Sequence, residues 1–90
     1  MPKVIVTHAV EDLDRWLQGK DERAAEIGTA GGSNVVDHVA KDGSNNIALS
    51  ADAGDLAALE SMLASPSPET LALMQSHGVI PPLTVYVQAD

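Results

Sequence analysis

The first apolar run, Val4-Ile5-Val6-Thr7, carries hydrophobic side chains on both alternating parities. A strand of that kind is covered on both faces, so it predicts a central strand. His8 closes the run and shares its parity with Val4 and Val6. Asp12 follows as an N-cap, because its carboxylate can accept from the free N–H groups of a first helical turn. Leu13, Trp16, Leu17, Ala24 and Ile27 then recur at helical spacing. Asp14, Lys20, Asp21, Glu22 and Arg23 are expected on the solvated side of that one helix, which Gly19 interrupts and bends. Gly28-Thr29-Ala30-Gly31-Gly32 stops it and forms a loop.

Ser33 to Ala40 predicts a second strand, with Val35 and Val39 on one parity and Val36 and His38 on the other. The turn chemistry of Lys41-Asp42-Gly43-Ser44-Asn45 makes a hairpin to a third strand, Asn46 to Ala51. Asp52 is the expected N-cap of a second helix, with Asp55 in its first turn and Leu56, Leu59, Met62 and Leu63 on its apolar face. Ser65-Pro66 breaks that helix. Ser67-Pro68-Glu69 restarts it, with Ser at N-cap and Pro at N1, and Gly78 suits the C′ position after His77. Pro81-Pro82 leads into a last strand, Leu83 to Gln88.

The order β-α-β-β-α-β, taken with right-handed crossovers, predicts an α+β fold: a four-stranded antiparallel sheet in spatial order 4-1-3-2, with helices on one face and the second helix split at Pro66–Pro68. Residues 1–90 form one domain. Val4, Val6, Ile47, Leu49, Leu83, Val85 and Val87 supply the helix-covered face. The other face carries Ile5, Thr7, Val36, His38, Ala48, Ser50, Thr84 and Tyr86, too apolar to stand open. A second copy laid across it in a twofold homodimer would bury it, with Thr7, His38, Ala48 and Tyr86 at the interface.

Composition sharpens this picture. The chain has one Trp, one Tyr and no Phe, so large aromatic anchors are nearly missing and a modest core gains from oligomerisation. Thirteen acids against five bases give a net charge of −8, and no basic cluster exists to hold nucleic acid. The absence of cysteine removes disulfides, thiolate metal sites and Cys nucleophiles, and fits the cytoplasm. No apolar run reaches the length of a membrane span. The Gly28–Gly32 run lacks phosphate-loop spacing, and no pair of histidines and carboxylates has metal-ligand spacing, so no metal or cofactor is expected.

His8 after its V-x-V strand, Asp12-x-x-x-Trp16, the Ser65–Glu69 break and Gly78-Val79-Ile80-Pro81-Pro82-Leu83-Thr84-Val85-Tyr86 resemble small proteins of the dimeric α/β-barrel, ferredoxin-like superfamily that includes antibiotic-biosynthesis monooxygenases. The resemblance covers nearly the whole chain. It implies a homodimer with a cleft between helices and sheet in each subunit. Its known activities include cofactor-free quinone-forming oxygenases, haem-degrading oxygenases, polyketide cyclases and isomerases. Two features depart from the pattern: no further aromatics follow Trp16, and the loop after the first helix is glycine-rich. Haem-degrading relatives place a tryptophan about ten residues before a helix histidine; here Ser67 stands there, which argues against haem.

His8 is the candidate acid or base. Asn34, Asp52, His77 and the segment to Pro82 are expected to gather with it at one end of the sheet, with Trp16 overhead, as a binding site. The plainer alternatives are that His8 bonds backbone at a strand end, that Trp16 plugs the core and that His77 caps a helix C-terminus as a cation. The expected function is a homodimeric small-molecule-binding protein with a small aromatic ligand. The alternatives are a cofactor-independent monooxygenase or cyclase on an aromatic polyketide-like substrate, or a purely structural or partner-binding dimer. A cavity of roughly 300 Å³ or more with His8 at its wall would favour ligand binding; a packed interior would favour the structural dimer.

Overall fold

A computed structural model describes residues 1–89. The elements are β1 (Lys3–Val10), α1 (Leu13–Gln18), α2 (Lys20–Thr29), β2 (Gly32–Val39), β3 (Asn46–Ala53), α3 (Leu56–Ala64), α4 (Pro68–Ser76) and β4 (Val79–Val87). The sheet is four-stranded and antiparallel in the order β2-β3-β1-β4, the expected topology with β1 at its centre. Val4, Val6, Leu49, Ala51 and Ala53 pack against Ile27 and Leu59 from the helices, which places the core on one sheet face. A second cluster, Val10, Trp16 and Ile47, closes the far end. Trp16 is 0 % exposed. Burying a tryptophan removes roughly 150–250 Å² from water, worth about 4–6 kcal/mol.

Local capping follows the chemistry. Asp12 Oδ1 accepts from the Arg15 N–H and Ser67 Oγ from the Thr70 N–H, with Pro68 opening α4. Gly78 takes φ +73° after α4, a left-handed conformation that glycine adopts without strain.

Four boundaries differ from expectation. The first helix is two helices. A Cβ on Gly19 would collide with the His77 ring, so only glycine fits where α1 gives way to α2. The run from Gly28 to Gly32 is mostly ordered: α2 continues to Thr29 and β2 begins at Gly32. Asp52 does not cap α3; it lies in β3 opposite Lys3, and Asp55 is the N-cap, accepting from the Ala58 N–H. Finally, β4 starts at Val79 and contains Pro81 and Pro82. An edge strand tolerates prolines because it has no outer neighbour to donate to.

The second sheet face is open. Ile5, Val36 and Tyr86 are exposed on it, Tyr86 by 57 %. No helix of the described residues is long and apolar enough to cross a membrane.

Candidate functional site

Between the helix layer and the sheet lies a cleft of about 80 Å³, walled mainly by apolar residues of β1, β3, α2, α3 and α4. That is several times the roughly 10–15 Å³ one water centre needs. It falls short of a preformed pocket for a drug-sized molecule, which is roughly 300–1,000 Å³. Met62 and Met74 stand in the wall, and thioether side chains re-pack easily around an incoming ring. The polar side chains that reach the cleft are His8, Arg23, Glu26, Thr70 and His77.

Arg23 organises the polar end. It was expected on the solvated side of the first helix, yet it is only 9 % exposed. Its Cζ lies 3.9 Å from the Trp16 ring centroid, a cation–π geometry. Its Nη1 donates to the Trp16 carbonyl at 2.9 Å, and its Nη2 donates to Asp37 Oδ2 at 2.9 Å. Nη1 also lies 3.2 Å from His77 Nδ1. A guanidinium has no acceptor, so His77 Nδ1 must be the unprotonated nitrogen. Burial first, and the Arg23 charge second, push the His77 pKa below the ordinary imidazole value. His77 is therefore neutral and is no cationic helix cap. Arg15 fills that role instead, donating from Nε to the Ser76 carbonyl at 2.7 Å and from Nη2 to the Gln75 carbonyl at 2.8 Å.

His8 sits where β4 slips against β1: Thr7 faces Thr84 and Ala9 faces Ile80, so one β1 residue opposes three on β4. Such irregularities re-aim a side chain. His8 Nδ1 is 2.8 Å from the Ala9 carbonyl. A carbonyl only accepts, so Nδ1 carries the proton and Nε2 the lone pair. Among the described residues Nε2 has no hydrogen-bond partner, and it is not fully buried. The ring meets Trp16 edge-on, 6.2 Å between centroids. Burial is the largest cause lowering the His8 pKa; the Ala9 bond opposes it, and Arg23 adds to it.

Both imidazoles thus titrate lower in the folded chain than in the unfolded one, where the value is about 6.5. Their stabilising contribution is complete above that pH and is lost as the pH falls through it, because the unfolded state then binds more protons. Imidazole NMR titrations should give His8 and His77 midpoints below 6.5; midpoints above it would contradict the assignment.

The structure brings His8, Trp16 and His77 together around Arg23 and places two other expected residues elsewhere. Antiparallel pairing sets the end of β1 beside the start of β3, so Asn34 and Asp52 lie at the opposite end of the sheet. There Asn34 Nδ2 donates to Asp52 Oδ2 at 2.7 Å and Lys3 Nζ stands 3.2 Å from Asp52 Oδ1. Thr7, His38, Ala48 and Tyr86 share the open face, where His38 Nε2 is 3.1 Å from Ser50 Oγ. Sequence reasoning passed over Arg23, Asp37, Glu26 and Thr70. Signals existed for the first two: Arg23 follows Trp16 by seven residues, two helical turns, and Asp37 shares its parity with Val35 and Val39.

No protein-family model matches the chain, and no curated protein is similar to it in sequence. Solved structures are similar. A candidate antibiotic biosynthesis monooxygenase from Bordetella bronchiseptica superposes with a TM-score of 0.74 at 12% identity, covering 99% of this chain and 95% of its own. An antibiotic biosynthesis monooxygenase superposes with a TM-score of 0.68 at 17% identity, covering 100% and 98%. A dimeric ferredoxin-like protein from an uncultured marine organism gives 0.64 at 8% identity, covering 100% and 94%. At these identities the common ground is architecture, and the chain has the ferredoxin-like α+β fold of these structures.

Proposed function

We propose that this chain is a homodimeric protein that binds a small aromatic molecule in the cleft between its helices and its sheet. The observation that carries the reading is the apolar cleft with His8 in its wall, which at about 80 Å³ is smaller than the expected preformed pocket and has to widen, as Met62 and Met74 allow, to admit an aromatic ring. A purely structural dimer has no need of such a space. The cysteine-free composition and the net charge of −8 fit a cytoplasmic protein without nucleic-acid partners. Trp16, the only tryptophan, does not line the cleft but lies buried behind its wall, edge-on to His8 and under Arg23, so a ligand that displaces either side chain alters its fluorescence. Titrating planar phenols and quinones should give a saturable change in its fluorescence; no response across the set overturns the reading.

The dimer half of the proposal is supported by the exposed apolar sheet face and by relatives described as dimeric ferredoxin-like proteins. Ala48 lies between Thr7 and His38 on that face. Ala48→Lys would set an unpaired ammonium into the interface, so light scattering at micromolar concentration should show a dimer for the parent chain and a monomer for the variant. A monomeric parent chain rules the dimer out.

A second reading is a cofactor-independent monooxygenase or cyclase. Its support is His8, a neutral imidazole whose Nε2 lone pair is free to take a proton from a bound phenol. The similarly folded antibiotic biosynthesis monooxygenases point the same way.

A further inference from the structure

We propose that Glu26 is the ligand-selecting group of the cleft, and that it selects an apolar body bearing a hydrogen-bond donor, a hydroxyl or an ammonium, over a carboxylate. The inference rests on the reading of the cleft as a binding site.

It follows from a count of polar valences on the cleft wall. Both Nη atoms of Arg23 are engaged inward, with Asp37, the Trp16 carbonyl and His77, and its Nε is fully buried. His77 turns Nδ1 to Arg23, and its Nε2 is buried at Gly19. The Thr70 hydroxyl donates to Glu26 Oε1 at 2.6 Å. Two atoms of these wall residues have no hydrogen-bond partner among the described residues and are not fully buried, His8 Nε2 and Glu26 Oε2. Both are acceptors, so the complementary molecule supplies donors.

Glu26 is also held in place. Ser67 Oγ donates to Thr70 Oγ1 at 3.1 Å, and Ser67 is itself the N-cap of α4, so a relay of two hydroxyls from that cap fixes one oxygen of the carboxylate. Among the described residues no cation comes within ion-pair distance of it. A carboxylate fixed beforehand beside apolar surface gives a ligand donor a charge-assisted hydrogen bond without ordering cost, and it repels another carboxylate. The net charge of −8 adds to that repulsion.

The test is a calorimetric titration of the full chain with four probes on one aromatic body: naphthalene, 2-naphthol, 2-naphthylmethylamine and 2-naphthoate. The donor-bearing probes should bind at least about tenfold more tightly than naphthalene, and naphthoate most weakly. A gain confined to the amine would identify the partner as an ammonium, and one confined to naphthol as a hydroxyl. Glu26→Gln keeps an oxygen for Thr70 but turns an amide toward the ligand, so the donor advantage should vanish and naphthoate should gain. Equal binding of naphthalene and both donor probes, a preference for naphthoate, or an unchanged preference in folded Glu26→Gln overturns the proposal and leaves the cleft as a binding site. Binding of none of the four overturns both. The parent-chain series decides the question even if the variant fails to fold.

Discussion

Replacing Arg23 by methionine is expected to cost about 3–5 kcal/mol of folding free energy, because it removes one partner of a buried ion pair and leaves the other charged. The Asp37 side chain is only 5 % exposed, and its second oxygen is already unpaired. Methionine keeps much of the arginine stem, so the loss falls on the charge, the Trp16 carbonyl and His77 more than on packing. For a domain whose total stability is about 5–15 kcal/mol, that is a large fraction. The paired change Arg23→Met with Asp37→Leu should recover most of it, since a well-packed apolar pair replaces a buried ionic one at little cost. Denaturant midpoints of the three chains check this; a single variant within 1 kcal/mol of the parent chain would show that the pair is not buried in solution.

On the enzyme reading, His8→Gln is expected to lower kcat in an oxygen-uptake assay on planar phenols by about 10²–10⁴-fold, with ligand affinity nearly unchanged. Glutamine can still donate toward the Ala9 carbonyl, but it offers no basic nitrogen. With the His8 pKa depressed by burial, the base is free at neutral pH. The parent rate should therefore hold between pH 7 and 8 and decline only as the pH falls through the lowered His8 titration, beneath the ordinary imidazole value. A variant that turns over like the parent chain would reduce His8 to a tie between its ring and the strand backbone.

The fold was legible in the sequence because its signals are local and periodic. Asp12, Ser67-Pro68 and Gly78 mark helix ends by chemistry that acts within a few residues. The site was legible only where one short stretch carries it, as in His8 at the end of β1 followed by Trp16 in α1. Asn34 and Asp52 were misplaced because their position depends on which way β3 runs past β1, a fact about pairing that no short stretch contains. Arg23 was misassigned because a guanidinium usually seeks water; here three partners compensate its burial, and two of them, Asp37 and His77, lie far along the chain. The same distance hides the exchange by which Arg15, and not His77, tends the end of α4.

The central place of β1 has a consequence for how the molecule assembles. β1 pairs on one side with β3 and on the other with β4, so the first strand of the sheet waits for the last. Until Val79–Val87 is available, one edge of β1 stays open beside Val4 and Val6, whose side chains are buried once the sheet closes. Contacts so remote in sequence put this small domain among slower folders, in the millisecond range rather than the microsecond range of helical bundles. An open apolar edge during that wait is a template for another chain. The interval between forming the β1–β3 ladder and docking β4 is thus when this chain is most exposed to aggregation.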